Sequence, residues 1–358
     1  MQNIVPFRVI CDPGLEDVCA NEIDALLSAQ ESPAPAVPGP ARSGLVRVSM
    51  KTEHAHLLSQ LRTIYHIVMD LGEISAGVHH LISSLCSWAE TAEIPGLSTA
   101  ESFRVTTDRQ GDHPFQSEDV NREVGRILFS RTPAGVNLDA PDLNLRIDIR
   151  NETAYIGLQQ TTEPLDKRYK WLFRPRVTLR TTISAAMLQL GRKHLLDAAE
   201  PLTVVDPFCG SGTILLEAAR IFPEARIVGG DINGKAVAGT LENAVAANLA
   251  PLLDVRQWDA AQLSEELPAG CADLVITNPP YGLRMGARLN FRAFYEHLLT
   301  EAAHVLHPGG CMVLLVGKKR GLFNYVLREH PEWKQIDVRV IEIGGSYPGL
   351  FVVQRQRQ

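Results

Sequence analysis

The run Asn278-Pro279-Pro280-Tyr281 sets rigid hydrogen-bond acceptors beside an aromatic ring. Proline has no backbone N–H, so Pro279 and Pro280 offer carbonyl oxygens without competing donors. The Asn278 side chain adds another carbonyl, and Tyr281 offers a ring on which a flat base can stack. Together these groups can hold the two hydrogens of an exocyclic amine. The plain alternative is a proline-terminated strand followed by a turn at Gly282. That reading explains the prolines and the glycine, but not the Asn and Tyr that bracket them.

A second cluster lies upstream, Val204-Val205-Asp206-Pro207-Phe208-Cys209-Gly210-Ser211-Gly212-Thr213. An apolar strand ends in a glycine loop that opens a helix. Gly210 and Gly212 let the backbone turn sharply and approach a ligand closely. The helix starting near Thr213 presents unpaired amides that suit a carboxylate or phosphate. Alone, this pattern reads equally as a tight strand–helix connection.

Two acids add to it. Asp231 ends the next strand, where a carboxylate can accept both hydroxyls of a ribose. Asp259 follows the third strand, where it can accept an adenine amino hydrogen. Each acid taken singly reads as a helix cap or a solvated loop residue. The conjunction is more specific, because glycines and acids at the carboxyl ends of three successive strands share one crevice. A nicotinamide site is disfavoured, since the G-x-G-x-x-G spacing is missing, and no Gly-Lys-Ser/Thr follows the loop as in a Walker motif.

These residues need a parallel sheet to position them. The second half alternates strand and helix: Leu202–Val205, Ile214–Ile221, Arg226–Gly229, Ala236–Ala247, Leu252–Gln257, Leu274–Thr277, Phe291–Leu306 and Cys311–Val316. Such alternation predicts a parallel sheet covered by helices, after a long helix near 179–196. Strands near Ile336–Ile343 and Leu350–Val353, joined through Gly344-Gly345-Ser346, predict an antiparallel hairpin at one edge. The first half reads as α+β. Strands are expected at Ile4–Cys11, Leu45–Met50, around Phe103–Thr107, and at Leu143–Ile149 and Ala154–Leu158 joined through Asn151. Helices are expected from Leu15 to Leu27 and after a cap at Ser117. Ser28–Gly44 carries Pro33, Pro35, Pro38 and Pro40 and reads as a long surface loop. His113, beside Pro114, reads as a turn residue.

The chain has 358 residues, and single cores rarely exceed roughly 250–300, so two or more domains are expected. Hydrophobic residues make up 45% and charged residues 21%, the usage of a soluble globular protein. Apolar runs are too short to span a bilayer, and the N-terminal sequence carries no signal-peptide pattern. The six cysteines are scattered without a CxxC pair, which argues against a zinc ribbon and for a reducing, cytoplasmic setting. No histidine pair has the spacing of a metal site, so no metal is expected.

The C-terminal half resembles the class I S-adenosylmethionine-dependent methyltransferases that act on amines. The resemblance implies that Asp206, Phe208, Gly210, Gly212 and Thr213 surround the methionine end of S-adenosylmethionine. It places Asp231 on the ribose, Ile232 beside the adenine, and Asp259 and Ala260 at the adenine edge. Asn278 belongs to both the cofactor and target-amine sites, with Pro279, Pro280 and Tyr281 in the latter.

The first half narrows the family. Ser102-Phe103-Arg104-Val105, Gly111-Asp112-His113-Pro114-Phe115-Gln116-Ser117 and Gly157–Leu165 resemble the THUMP RNA-binding domain. Pro13-Gly14-Leu15-Glu16-Asp17 matches the ferredoxin-like segment before THUMP, and Gly344–Val352 also fits. The whole order is similar to THUMP-containing tRNA guanine-N2 methyltransferases that modify the sixth nucleotide, in the acceptor stem. The fold implied is α/β. A Rossmann-like class I methyltransferase with a seven-stranded, mostly parallel sheet and antiparallel edge hairpin follows an α+β ferredoxin-like/THUMP region. The divisions implied are 1–62 ferredoxin-like, 63–163 THUMP, 164–177 basic linker and 178–358 methyltransferase. An rRNA guanine-N2 methyltransferase, a DNA adenine-N6 methyltransferase and an inert RNA-binding protein remain alternatives.

The net charge of −6 by itself speaks against a polyanion partner. Charge is nonetheless uneven, since residues 166–193 hold eight cations against the single acid Asp166. Tyr169, Trp171 and Phe173 interleave with Lys167, Arg168, Lys170, Arg174 and Arg176. Phosphate binding explains the sign bias, while a solvated approach with aromatics docking two domains is the plainer reading. Lys318, Lys319 and Arg320 form a second cluster. The expected partner is tRNA, and the expected state is a monomer.

Overall fold

The structure, a computed structural model, describes residues 4–28, 35–176, 178–196, 200–280, 290–317 and 319–357. The chain forms two units, Met1–Cys11 with Cys19–Leu165, and Asp12–Val18 with Asp166–Gln358.

The first unit holds β1 (Ile4–Cys11), β2 (Val37–Pro38), β3 (Leu45–Lys51), β4 (Ile64–Ser75), β5 (Ser102–Gln110), β6 (Gly135–Val136), β7 (Leu143–Arg150) and β8 (Thr153–Gln159). They form one sheet in the order β2-β3-β1-β4-β8-β7-β5-β6. Helices α1 (Glu16–Leu27), α2 (Leu81–Thr91) and α3 (Ser117–Arg131) complete the N-terminal elements. Strand β4 pairs with β1 on one side (Phe7 opposite Met69) and with β8 on the other (Val68 opposite Gln159). The segments 1–62 and 63–163 thus share a single continuous sheet. The interruption at Asp70 and Gly72, where the register shifts, hides this strand in the sequence.

Two local expectations change, at Ser117 and in the proline-rich stretch, and the one for His113 holds. Ser117 does not cap α3. Gln116 does, reciprocally with Asp119. Within the proline-rich stretch, Val37–Pro38 form a short edge strand against β3, a position where proline's missing N–H costs no ladder bond. Residues 29–34 lie outside the described ones. His113 is a turn residue whose Nε2 meets the Asn151 carbonyl at 2.6 Å.

The second unit holds β9 (Thr203–Asp206), β10 (Arg226–Asp231), β11 (Leu253–Gln257), β12 (Ala272–Thr277), β13 (Leu306–Val316), β14 (Trp333–Val340) and β15 (Gly349–Arg355). Their order is β11-β10-β9-β12-β13-β15-β14. The first five run parallel, and β15 lies antiparallel between β13 and β14. Helices α4 (Thr181–His194), α5 (Thr213–Ile221), α6 (Gly234–Ala246), α7 (Leu263–Glu266), α8 (Phe291–Val305) and α9 (Arg320–Arg328) accompany it.

Alternation along the strands builds two cores. Val204, Leu274, Ile276, Val313 and Leu315 pack with α4 and α5 residues in one. Val205, Val275, Met312 and Leu314 pack with α8 and α9 residues in the other. Both faces are covered, which is why Leu274, Val275 and Ile276 of β12 are apolar in succession rather than alternating with polar residues. Strand order reverses between β9 and β12, and ligands of open α/β sheets bind beyond the carboxyl ends at such a point.

The segment Asp12–Val18, which contains the Pro13–Asp17 run matched above to the ferredoxin-like region, belongs to this second unit. Leu15 and Val18 lie in its core. Asp12, fully buried, accepts from Arg180 at 3.0 Å and from the Thr182 hydroxyl at 2.6 Å. Pro13 accepts from the Glu342 amide. Gly14 has φ +95°, and a Cβ there would stand 2.7 Å from the Val340 carbonyl, so only glycine fits. Helix α9 is a further addition, because its basic start and low hydropathy mask its amphipathic spacing.

Candidate active site

Two sequence clusters meet where β9 and β12 end. Asp206, 1% exposed, closes β9. Its Oδ1 accepts from the Phe208 amide at 3.1 Å and from the Thr277 hydroxyl at 2.9 Å. Thr277 is the last residue of β12 and directly precedes Asn278. One carboxylate oxygen therefore ties the start of the glycine loop to the start of the Asn-Pro-Pro turn. Burial pushes the Asp206 carboxyl up to about 7, against the pull of those two hydrogen bonds.

Gly210 and Gly212 sit at φ +56° and +82°, the left-handed region that favours glycine. A Cβ on Gly212 would strike Thr240 at 2.7 Å. A Cβ on Gly210 would meet nothing nearer than 4.0 Å, so open space lies over the loop at that residue. Asp231 closes the loop from the neighbouring strand, where its Oδ2 accepts from the Gly210 amide at 3.1 Å and its Oδ1 from the Asn233 amide at 2.9 Å. Thr213 begins α5 behind Gly212. Burial raises the Cys209 thiol, which stays protonated.

Beside the loop lies a cavity of about 470 Å³, lined on the sheet side by Pro207, Phe208, Ile232, Asp259, Ala260 and Pro280. Ile232 is 62% exposed, an aliphatic side chain left open at the cavity. Asp259 is exposed and caps the following turn, accepting from the Ala261 amide at 3.0 Å, so the plain reading of this acid holds alongside its place in the lining. Asn278 is half-buried and Pro279 buried. Tyr281 lies outside the described residues.

Several contributors went unnoticed in the sequence. Asn290, Ala293, Phe294 and His297 line the cavity from α8 and its cap, at the i, i+3, i+4, i+7 spacing of one helical face. The Phe294 ring stands 5.8 Å from that of Phe208. Buried Trp258 donates its indole N–H to the Pro207 carbonyl at 3.2 Å and packs against Gly230, where a Cβ would come within 2.3 Å.

The same architecture and motifs occur in known proteins. A family model described as an RMKL-like methyltransferase domain matches residues 171–348, and a THUMP domain model matches residues 87–159. A crystal structure of TrmN from Thermus thermophilus has a TM-score of 0.78 at 31% identity, with 99% of this chain and 100% of that chain covered. An Archaeoglobus fulgidus tRNA (guanine(6)-N2)-methyltransferase is 25% identical over 98% of this chain and 92% of its own. The Thermus thermophilus tRNA (guanine(6)-N2)-methyltransferase is 33% identical over 344 residues, 96% of this chain and 97% of its own. The chain belongs to this methyltransferase family.

S-adenosylmethionine is the cofactor of this methyltransferase, and the site fits it. A predominantly apolar cavity of this size, with a few polar groups such as Asp259 and Asn290 in its lining, can take a flat base and leave a sugar's hydroxyls to the polar groups. The open space over Gly210 leaves room for the chain attached to it.

The basic segment is only partly as expected. It alternates: Lys167, Lys170, Leu172, Arg174 and Arg176 are exposed, whereas Arg168, Tyr169, Trp171 and Phe173 are half-buried. Tyr169 and Trp171 pack on the methyltransferase core, and Tyr169 donates its hydroxyl to the Leu216 carbonyl at 3.2 Å. Arg168 is a correction. Its side chain is 14% exposed and lies 3.7 Å from Glu217, itself fully buried. A guanidinium held inside by a buried carboxylate is not free for phosphate. Lys319 stands over the Phe291 ring at 5.9 Å, next to cavity-lining Asn290, and Arg320 is exposed at the start of α9. Lys318 lies outside the described residues.

Proposed function

We propose that this methyltransferase transfers the methyl group of S-adenosylmethionine to the exocyclic N2 of guanine at the sixth nucleotide of tRNA, in the acceptor stem, forming N2-methylguanosine. The observation that carries the reading is the Asn278-Pro279-Pro280 turn, which leaves β12 at the cavity and is tied through Thr277 to the carboxylate that organises the glycine loop.

In this reading Asp206, Phe208, Gly210, Gly212 and Thr213 surround the methionine end of the cofactor. Asp231 accepts from the ribose hydroxyls, Ile232 packs on the adenine, and Asp259 and Ala260 meet its edge. Asn278 and Pro279 accept the two amine hydrogens and orient the nitrogen lone pair. Pro280 stiffens the turn and Tyr281 stacks on the base. S-adenosylmethionine supplies an electrophilic methyl on a sulfonium, whose departure as a neutral thioether needs no acid. Bound there, it would supply that methyl to the guanine amine, with the S–C electron pair staying on sulfur and the amine proton passing to water. Acceptors at Asn278 and Pro279 stabilise the positive charge that grows on nitrogen, and positioning supplies much of the rest.

Lys167, Lys170, Arg174 and Arg176, together with Lys318, Lys319 and Arg320, contact phosphates. The THUMP segment at 63–163 grips the RNA while residues 178–358 carry the chemistry. The protein works as a monomer in the cytoplasm, a reducing setting that suits its free cysteines. Competition among total tRNA, rRNA and DNA for labelled methyl tests the substrate class. Label confined to tRNA supports the reading, and label in rRNA or DNA at comparable rates removes it.

A further inference from the structure

Asn243 on α6 is 1% exposed. Its Oδ1 accepts from the amides of Leu172 and Phe173, both at 2.9 Å. Its Nδ2 donates to the Phe173 carbonyl at 2.7 Å and to the Ser211 carbonyl at 3.0 Å. An amide side chain has two donors and two acceptor lone pairs, so these four bonds satisfy it completely. Three of them go to the basic segment. The fourth goes to the middle of Gly210-Ser211-Gly212.

Neighbours on the same helix repeat the arrangement. Thr240 donates to the Gly210 carbonyl at 2.9 Å. Gly239 receives the Phe173 ring so closely that a Cβ there would lie 2.1 Å from it. An apolar side chain at 243 would fill space while letting the segment slide. A buried amide is tolerated only when all its bonds are made, so it fixes one register between segment and loop. The exposed residues of that segment are the cations Lys167, Lys170, Arg174 and Arg176 with Leu172.

We propose that Asn243 is a positioning residue through which RNA seated on the 167–176 segment sets the geometry of the cofactor loop, so that tRNA and the cofactor bind with positive coupling. This rests on the tRNA reading above. A phosphate backbone held by Lys170 and Arg174 settles Leu172 and Phe173 against Asn243. Asn243 in turn holds the Ser211 carbonyl between the two left-handed glycines. Linkage makes the effect reciprocal, with bound cofactor tightening tRNA by the same factor.

The test is equilibrium dialysis of S-adenosylhomocysteine, which permits no transfer, against the full chain with and without saturating unmodified tRNA transcript. Direct tRNA binding is measured alongside. In the unaltered protein tRNA tightens S-adenosylhomocysteine by about fivefold or more. In Asn243→Ala the two affinities differ by less than about twofold, on the same coupling scale. A merely structural role would lower both affinities and leave their ratio intact. The surface variant Lys170→Ala/Arg174→Ala leaves Asn243 untouched and also shrinks the ratio once tRNA saturates. It decides the matter if Asn243→Ala does not fold. Equal affinity with and without bound tRNA in the unaltered protein, or a full ratio in the surface variant, overturns the proposal. If tRNA does not bind the unaltered protein, the tRNA reading fails and takes this proposal with it.

Discussion

The Thr277 hydroxyl donates to the Asp206 carboxylate at 2.9 Å, and the same oxygen accepts from the Phe208 amide at 3.1 Å. The glycine loop and the Asn-Pro-Pro turn are thus registered through one atom. Thr277→Val keeps the volume and removes the bond. A net hydrogen bond of about 1–1.5 kcal/mol corresponds to roughly tenfold in rate. Methyl transfer at saturating substrates falls by about that factor, cofactor affinity changes by less than about threefold on the same energy scale, and Thr277→Ser restores the rate. Calorimetric titration and single-turnover kinetics separate the two quantities. An unchanged rate in Thr277→Val would show that the tie plays no part in placing Asn278.

Asp206 also predicts a pH dependence of stability. In the folded, ligand-free protein its carboxyl holds a proton up to about pH 7, because burial raises it. In the unfolded chain the carboxyl ionises near the ordinary value of about 4. Between these limits the folded state binds the extra proton, so this group's contribution makes stability fall as pH rises from about 4 to about 7. The drop is up to about 4 kcal/mol over the window. Asp206→Asn keeps an acceptor oxygen for Phe208 and Thr277 and flattens that slope. Urea titrations at several pH values give the answer, and identical slopes in the two proteins would remove Asp206 as the source.

The alternation of the basic segment divides its cations into two kinds. Lys167→Ala/Lys170→Ala/Arg174→Ala, all at exposed positions, weakens tRNA binding broadly. It also lowers the slope of log K against log salt by roughly 0.7–0.9 for each phosphate that no longer meets a cation. The melting temperature stays put. Arg168→Ala strands the buried Glu217 carboxylate and lowers the melting temperature without a matching change in salt slope. A surface triple variant with an unaltered slope would place the RNA elsewhere.

Much of the fold and the site is legible in the sequence because the signals are local. Asp206 to Thr213 and Asn278 to Pro280 each lie in one contiguous turn at a strand end, so reading order along the chain suffices to bring them to one crevice. Strand β12 declares itself by the consecutive apolar residues Leu274, Val275 and Ile276, and the β14–β15 hairpin by its glycines. What stays hidden is non-local. Arg168 and Lys170 are both cations in one run, and only the buried Glu217 on α5 tells them apart. Asn243 carries no pattern of its own, since its four partners lie about seventy and thirty residues upstream. The cavity-lining face of α8 is visible as helical periodicity, but periodicity does not say which face meets a ligand. Asp12 looks like the end of an N-terminal strand and proves to be a buried acceptor for Arg180 and Thr182.

That last pairing bears on how a fragment of the chain would behave. A polypeptide covering 166–358 contains every residue proposed to hold the cofactor but lacks Leu15 and Val18 from its core and Asp12 beneath Arg180. Two buried aliphatic side chains are worth on the order of 3–6 kcal/mol. The fragment therefore melts well below the full chain or does not fold cooperatively. Differential scanning calorimetry of fragment and full chain checks this. A fragment with the full chain's transition would show that Asp12–Val18 is dispensable to the second unit.

The most direct test of the account maps the product. Unmodified tRNA is incubated with the full chain and S-adenosylmethionine, cut at defined positions, and its nucleosides are resolved by mass spectrometry. The account predicts N2-methylguanosine at nucleotide 6, reduced roughly 100-fold or more in initial rate by Asn278→Ala, with tRNA affinity nearly unchanged in that variant. N6-methyladenine, N2-methylguanosine at another position, or a rate indifferent to Asn278 would contradict it.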